Sequence, residues 1–285
     1  MVEITFATPS QRAEVEAFMH AAFPRAKWGR DGWTRLLANR WGGAGGEFAV
    51  VARDGGTLVG VMGMNDSLPH TPRGPARYRN LTSWYVLKSH RGMRLGEQLM
   101  HTAMADPAVT STNLTSAKGA LRLVDRIGFK VLDDHRFAWR QSGSAPLALT
   151  RDPLRDADLD ATDRRVLRDH AGLNLHTVTL QTPDGPCTLV LSVKQKVDDY
   201  VMHEVVYAGQ RDLLGRHAQR IANTLLADAP AVLAVDARLV QAAQDALGAT
   251  REPIEVARFY KGTSLLPAEI DHMYSEIVLM DMKLY

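Results

Sequence analysis

The stretch Trp84–Met100 (WYVLKSHRGMRLGEQLM) constrains the fold more than any other part of this 285-residue chain. It predicts a strand ending near Val86, a loop rich in arginine and glycine over Arg91–Gly96, and a helix beginning near Leu95. The first amides of a helix have no partner within it, and together with the helix dipole they attract anions. The stretch therefore predicts a phosphate site at the start of this helix. The alternative is an ordinary turn with solvated arginines.

The patterns on either side place this loop within a mixed α/β unit. Alternating residues over Val2–Ala7 predict a strand, and Thr8-Pro9-Ser10-Gln11 predicts the start of a helix. Two β-branched runs joined at Asp54-Gly55-Gly56 predict a hairpin before the loop. After the loop come a helix that Pro107 ends, a further strand, and a helix that closes on Gly128.

The second half of the chain repeats this order of elements. Leu95-Gly96 aligns with Leu214-Gly215, and Pro107 aligns with Pro230, although the two halves share few identical residues. The elements predicted for this half include helices over 212–227 and 238–248 and a final strand over 276–284. The length of 285 residues suits two domains, so we interpret the chain as two copies of one α/β unit.

Composition narrows the class of function. The formal net charge is +2, from 34 basic and 32 acidic residues, a balance that favours neither nucleic acid nor a membrane surface as a partner. Cys187 is the only cysteine, and the ten histidines show no HExxH spacing, so we expect no metal site. The N-terminus lacks the pattern of a signal peptide, and no apolar run approaches the ~18 residues of a membrane span. We expect a cytoplasmic protein, and its oligomeric state is left open.

The loop Arg91-Gly92-Met93-Arg94-Leu95-Gly96, after a strand ending in Val86, resembles the acyl-CoA-binding signature of the Gcn5-related N-acetyltransferase (GNAT) superfamily. The order of elements over about Ile4–Gln141 and the Gly128-Phe129 helix ending agree with that family. The resemblance implies an α/β (α+β) fold of tandem GNAT-like mixed sheets flanked by helices. The domains it implies are a GNAT N-acetyltransferase domain over 1–141, a linker over 142–148, and a degenerate GNAT-like domain over 149–285. In the second copy, Leu213 takes the place of a loop glycine and Asp212 brings a negative charge.

The same resemblance implies acetyl-CoA as co-substrate. Its pyrophosphate would lie on the backbone amides of Arg91–Gly96, and its pantetheine arm would lie beside Trp84–Val86, where a backbone N–H would polarise the acetyl carbonyl. The cofactor-binding residues implied in this way are Trp84, Tyr85, Val86, Arg91, Gly92, Met93, Arg94, Leu95 and Gly96.

The chain departs from the family pattern at three positions. Arg94 stands where the family has glycine; its amide can bind phosphate if φ is negative and its guanidinium can grip an oxygen, or it is a tolerated surface residue. Val124 replaces the tyrosine that protonates the leaving thiolate, and Ala117 replaces a frequent asparagine. We assign the catalytic role to Tyr85. The other polar candidates are His90, Ser83 and Asn113, and no Asp or Glu on the central strands stands out as a base.

The leading hypothesis is an enzyme that moves an acetyl group from acetyl-CoA to a primary amine of a small molecule. Direct attack in a ternary complex is expected because Cys187 is remote from the loop. One alternative is a non-catalytic acyl-CoA-binding sensor or scaffold, and another is an N-acyl amino acid synthase with longer donors. Three tryptophans lie around the second predicted helix: Trp28, Trp33 and Trp41. They are either core residues or an aromatic lining for the acceptor. The identity of the acceptor is left open.

Overall fold

The computed structural model describes every residue except 44–45, 144–145, 156–158, 197–199, 227–229, 241–247 and 284–285. The strands are β1 (Val2–Phe6), β2 (Ala49–Asp54), β3 (Thr57–Ser67), β4 (His70–Thr71), β5 (Gly74–Pro75), β6 (Tyr78–Val86), β7 (Thr110–Asn113), β8 (Lys130–Trp139), β9 (Ala148–Arg151), β10 (His176–Thr182), β11 (Gly185–Gln195), β12 (Val201–Ala208), β13 (Ala231–Asp236) and β14 (Thr250–Lys261). The helices are α1 (Arg12–Ala22), α2 (Gly29–Leu37), α3 (Leu95–Ala103), α4 (Leu121–Ile127), α5 (Ala161–Asp169), α6 (Arg211–Leu225) and α7 (Glu276–Leu279).

The chain forms two compact units, each assembled from segments that are distant in sequence. Unit 1 comprises Met1–Val131, Arg258–Leu266 and Tyr274–Met282. Unit 2 comprises Leu132–Ala257, Pro267–Met273 and Lys283–Tyr285. Each unit thus takes residues from both halves of the sequence. The compact units are defined by contacts between residues, whereas the predicted boundary after Gln141 separates domains along the sequence. That boundary stays a prediction.

Unit 1 contains a mixed sheet in the order β1-β2-β3-β6-β7-β14. The pairs are antiparallel except β6–β7, which is parallel. The β2–β3 turn is made by Gly55 and Gly56, both with positive φ, as the predicted hairpin requires. Helix α3 packs Leu95, Leu99 and Met100 into the core on this sheet, because these positions share one helical face.

Unit 2 contains a mixed sheet of the same pattern, in the order β9-β10-β11-β12-β13-β8. Its one parallel pair is β12–β13, at the position that β6–β7 takes in unit 1. The strand at the end of each order comes from the other half of the chain: β14 closes the sheet of unit 1, and β8 closes that of unit 2. The predicted fold class, tandem mixed sheets flanked by helices, is confirmed.

Two local predictions differ from the structure. The strand predicted over 276–284 begins instead as helix α7, because Ser275 caps its first turn by accepting a hydrogen bond from the amide of Ile277. For the helix predicted over 238–248, residues 241–247 lie outside the described part of the chain, and Ala237–Leu239 forms a 3₁₀ turn. Within the described residues, every helix is too short or too polar to cross a bilayer.

Candidate active site

The loop before α3 presents backbone amides that have no partner among the described residues. The amide of Arg91 bonds to the carbonyl of Lys88, and the helical pattern resumes with the amide of Glu97 bonded to the carbonyl of Arg94. No described residue accepts a hydrogen bond from the amides of Gly92 to Gly96. Because they stand at the positive end of the α3 dipole, these amides have the geometry and charge that suit an anion, and the phosphate site expected from the sequence stays a prediction. Gly92 has a φ of 89° and open space around it, as a loop that must accept a ligand requires.

Arg94 occupies this loop in a conformation that favours glycine. Its φ is 58°, so the negative φ considered from the sequence is wrong. Its guanidinium donates bidentately to Glu97, from Nε to Oε2 at 3.0 Å and from Nη2 to Oε1 at 2.8 Å. This pairing raises the pKa of Arg94 and lowers the pKa of the Glu97 carboxyl. The side chain therefore has a protein partner on the solvent side of the loop, and its predicted role toward phosphate stays a prediction.

Gly96 has a packing reason to lack a side chain. A Cβ atom at this position would lie 2.1 Å from Cζ2 of Trp84, so the indole ring of Trp84 lies directly against the first turn of α3. The contact brings the end of β6 against the helix that follows the loop Arg91–Gly96. Trp84 thus joins the loop to the interior of unit 1.

The central strands of unit 1 separate beside Trp84. The parallel ladder of β6 and β7 runs from Tyr78 to Asn80 and stops there, which leaves Leu81–Val86 with β3 as their strand partner. Within this segment Ser83 is an extra residue between the pairs Gly63–Thr82 and Met62–Trp84, and its φ is 46°. Bulges of this kind redirect the strand and are frequent beside active sites. The β6 edge that faces β7 is therefore open to a ligand.

A cavity of about 640 Å³ lies against this open edge. Its walls come from the segment between α1 and α2, from β6, from the residues after β7, and from the segment that carries α7. All of these belong to unit 1. The volume falls within the range of about 300–1,000 Å³ that is typical of small-molecule sites.

Glu276 brings a carboxyl group to this cavity. Asn80, where the β6–β7 ladder stops, accepts a hydrogen bond of 2.9 Å from the amide of Glu276. Thr115 donates to Glu276 Oε1 at 2.7 Å, whereas Oε2 has no partner in the described part of the chain. Burial raises the pKa of the Glu276 carboxyl to about 7, and the hydrogen bond from Thr115 opposes that effect. A carboxyl group with a pKa near neutrality is suited to take a proton.

Tyr85, the predicted catalytic residue, has an aromatic environment. Its ring makes edge contacts with Phe23 at 5.4 Å and Phe18 at 6.2 Å, and the guanidinium of Arg91 lies 5.6 Å from its centre. Arg91 also donates to the carbonyl of Val86 at 3.3 Å. Tyr85 is not among the residues that line the cavity, and its catalytic role stays a prediction.

The other polar candidates divide into two groups. Ser83 and Asn113 line the cavity, whereas His90 lies against Asp54, with its Nε2 3.4 Å from a carboxylate oxygen. Val124, at the position of the family tyrosine, is fully buried in the core of unit 1. It therefore packs where the family places an acid.

The three tryptophans that the sequence suggested as core residues or as an acceptor lining lie in different surroundings. Trp28 and Trp33 line the cavity, whereas Trp41 packs against Tyr274 at 5.5 Å. The sequence interpretation missed Glu276 and Thr115. The available signal for Glu276 was a single carboxylate within the apolar run that follows Ser275, which alone does not indicate its position in space.

Several solved structures show the same fold. A GCN5-related N-acetyltransferase from Anabaena variabilis has 11% identity and a TM-score of 0.58, over 92% of this chain and 72% of that chain. One from Kribbella flavida has 12% identity and a TM-score of 0.56, over 92% and 72%. Eis1 from Mycobacterium abscessus has 12% identity and a TM-score of 0.51, over 92% and 73%. At such low identities the likeness concerns the fold.

Sequence comparison addresses the family directly. Curated protein sequences give no match to the chain. Residues 14–129, however, match the Acetyltransferase (GNAT) family. That range contains the loop Arg91–Gly96, the opened strand β6, and the bulge at Ser83. The resemblance to the GNAT family inferred from the loop is thus confirmed for residues 14–129.

Proposed function

We propose that unit 1 transfers an acetyl group from acetyl-CoA to a primary amine of a small molecule, by direct attack in a ternary complex. One observation carries this proposal: Trp84 joins a loop of unpartnered amides to a cavity that contains the buried carboxyl group of Glu276. The loop suits the phosphates of the donor, and the cavity suits an acceptor that must lose a proton.

In this proposal the donor lies along the opened part of β6. Its pyrophosphate binds the amides of Arg91–Gly96, and its pantetheine arm follows Trp84, Tyr85 and Val86, where the β7-facing edge has no strand partner. The acetyl carbonyl lies near the bulge at Ser83, where a backbone N–H stabilises the charge that develops on oxygen. The exposed side chain of Met93 and the packed side chain of Leu95 frame the loop on either side.

Glu276 acts as the base. The acceptor enters as an ammonium ion and gives one proton to the Glu276 carboxylate, which leaves a neutral amine. The amine nitrogen forms a bond to the acetyl carbon, the carbon–sulfur bond breaks, and the remaining extra proton on nitrogen passes to the thiolate. A base with a pKa of about 7 is closer to the pKa of an alkyl ammonium, roughly 10 as for lysine, than an ordinary glutamate is.

We assign the relay of this last proton to Tyr85, directly or through water: its hydroxyl gives a proton to the thiolate and regains one from the nitrogen. Val124 cannot donate a proton, and CoA is a tolerable leaving group without a dedicated acid. An acyl-cysteine intermediate is disfavoured because Cys187 is buried in unit 2, where burial raises the pKa of its thiol to about 12.

The test uses the full chain, since β14 and Glu276 lie far beyond residue 141. The protein is mixed with acetyl-CoA and a panel of primary amines, and free thiol and acetylated product are both measured. Thiol release that depends on an amine, with the product of matching mass, supports the transferase. Acetyl-CoA binding without turnover for any amine supports the sensor alternative. Turnover only with longer acyl donors supports the N-acyl amino acid synthase.

A further inference from the structure

Several buried polar atoms around the cavity have no partner in the described part of the chain. They are Nε1 of Trp28, Trp33 and Trp84, Oγ of Ser116 and Oε2 of Glu276. Buried polar atoms are nearly always hydrogen-bonded in folded proteins, so a concentration of unpartnered ones indicates a ligand that pairs with them. The indole groups can only donate, and the carboxylate can only accept.

The described residues that line the cavity include two ionisable side chains. Glu276 is the buried ionisable residue among the described lining residues, and the other ionisable one, Arg25, is exposed. Buried Arg258 is not a lining residue, although its charge lowers the pKa of the Glu276 carboxyl. One ammonium group on the ligand would pair with the unpartnered Oε2 of the Glu276 carboxylate. A second ammonium group would enter an apolar cavity without a counter-charge, at a cost in desolvation. The wall therefore suits a ligand with one positive charge.

An α-carboxylate on the ligand would be unfavourable for a related reason. In an amino acid the carboxylate and the amine share one carbon, so an amine placed at Glu276 brings a second carboxylate beside the first. Like charges at this distance in a buried site repel strongly. The arrangement disfavours amino acids even though Arg25 lies at the cavity rim.

Most of the wall is apolar, and part of it is aromatic. Phe23 and Trp33 lie 5.3 Å apart, and Trp28 makes an edge contact with Trp33 at 5.5 Å. Four methionine side chains also line the cavity, from Met62, Met100, Met280 and Met282. Such a wall packs well against an aromatic or aliphatic body. The hydroxyl groups of an amino sugar would lie against this apolar and aromatic part of the wall, at a cost in desolvation.

We propose that the acceptor is a small monoamine, with one primary ammonium group on an apolar, preferably aromatic, body. This inference rests on the proposed function, since it names the class of amine taken by the same site. The ammonium group pairs with Glu276, the body packs on Phe23 and the two tryptophans, and a neutral oxygen on the body can accept from an indole N–H.

The experiment compares ligands that differ by one group: 2-phenylethylamine, phenylalanine, 2-phenylethanol and 1,4-diaminobutane. Binding to the full chain is followed by tryptophan fluorescence, since Trp28, Trp33 and Trp84 line the cavity, and acetyl transfer is followed by product mass. We expect 2-phenylethylamine to bind at least tenfold more tightly than the other three. In Glu276→Gln it should bind no better than 2-phenylethanol. Asp31→Asn, which removes an exposed carboxylate of α2, is the matched control and should leave the preference unchanged.

The outcomes separate this inference from the proposed function. Binding of 2-phenylethylamine without acetylation contradicts the transferase and supports the ligand class. Acetylation that prefers phenylalanine or 1,4-diaminobutane supports the transferase and overturns the ligand class. Failure of 2-phenylethylamine to bind wild-type protein overturns it too. These wild-type comparisons decide the matter even if Glu276→Gln fails to fold, which circular dichroism would reveal.

Discussion

Units 1 and 2 arrange their strands in the same order but differ at the central parallel pair. In unit 2 the β12–β13 ladder continues from Val201 to Val205, next to a bulge at Val206 that is fully buried. In unit 1 the β6–β7 ladder stops at Asn80, before the bulge at Ser83. Both sheets thus contain a bulge. In unit 1 the ladder ends before the bulge, and the bulged residue Ser83 lines the cavity.

The connections to the following helix differ as well. Residues 87–94 link β6 to α3, whereas Gly209 and Gln210 link β12 to α6. The Gln210 side chain accepts from the amide of Thr188 at 3.0 Å and donates to Asp163 at 3.2 Å, so protein groups hold the short link. A shared fold therefore does not imply a shared site, and we propose that unit 2 is a degenerate GNAT-like unit.

The largest effect should come from the Glu276 carboxyl group. Glu276→Gln keeps the shape of the side chain but removes the base, so kcat should fall by about 10²–10⁴-fold. Wild-type activity should rise with pH through about 7, as Glu276 loses its proton, and the variant should lose that inflection. Steady-state kinetics from pH 5.5 to 9 would show this. Asp163→Asn, a buried carboxyl group of unit 2, is the control, and an equal loss of kcat there would contradict the assignment.

The same substitution should change the pH dependence of stability. The pKa of Glu276 is about 7 in the folded state against 4.5 as the reference, so the folded protein holds the proton more tightly. Its stability therefore falls as pH rises from 4.5 to 7, by up to about 3 kcal/mol from this group. Urea denaturation of Glu276→Gln at pH 5, 6, 7 and 8 should show a growing advantage over wild type. A constant difference would show that Glu276 ionises normally.

Matching glycines in the two units offer a direct contrast. Gly96→Ala pushes against the Trp84 ring, and Gly215→Ala pushes against the carbonyl of Val240, 2.5 Å from the added Cβ. Both should lower stability by about 1–3 kcal/mol through overpacking. Calorimetric titration should show at least about tenfold weaker acetyl-CoA binding for Gly96→Ala, or about 1.4 kcal/mol. Gly215→Ala should bind acetyl-CoA as wild type does. An equal loss of affinity in both variants would show that the contact between Gly96 and Trp84 affects binding only through the stability of the protein.

Tyr85 and Tyr207 are each the next-to-last residue of their strands. The Tyr207 hydroxyl donates to buried Asp163 at 2.6 Å, so Tyr207→Phe should cost about 1.5–3 kcal/mol of stability and leave kcat unchanged. Tyr85→Phe should keep its stability and lower kcat by at least about tenfold, as expected for a general acid. Unchanged kcat in Tyr85→Phe would make this residue a packing group.

The smallest effect concerns the conformation of Arg94. Glycine adopts a φ of 58° without strain, whereas alanine does not, so Arg94→Gly should melt at a higher temperature than Arg94→Ala. Both variants lose the same pairing with Glu97. If the loop amides carry the phosphates, both should bind acetyl-CoA within a few fold of wild type. A large loss in both would assign the phosphate contact to the guanidinium.

Local features of this site could be predicted from sequence. The strand, the loop and the start of α3 follow from residue spacing and from glycine, because neighbouring residues determine them. The position of Glu276 could not, since it depends on Thr115 and Asn80, which are distant in the chain. The apolar residues that follow Glu276 suggest a strand, but Ser275 caps a helical turn at this position.

The sequence also did not predict that β14 closes the sheet of unit 1 and β8 closes the sheet of unit 2. Neither β8 nor β14 has a regular alternation of buried and exposed residues that would indicate its sheet, and only tertiary pairing decides which one it joins. The left-handed conformation of Arg94 was missed for a different reason. Nonglycine residues seldom adopt it, so spacing alone favoured the ordinary conformation.

The stoichiometry of acetyl-CoA binding tests the central claim most directly. If unit 1 holds the site and unit 2 is degenerate, calorimetric titration of the full chain should give one acetyl-CoA per chain. Gly96→Ala should weaken that single site, and Gly215→Ala should leave it intact. Two equivalents per chain would contradict the proposed difference between the units, and no binding at millimolar acetyl-CoA would contradict the site itself.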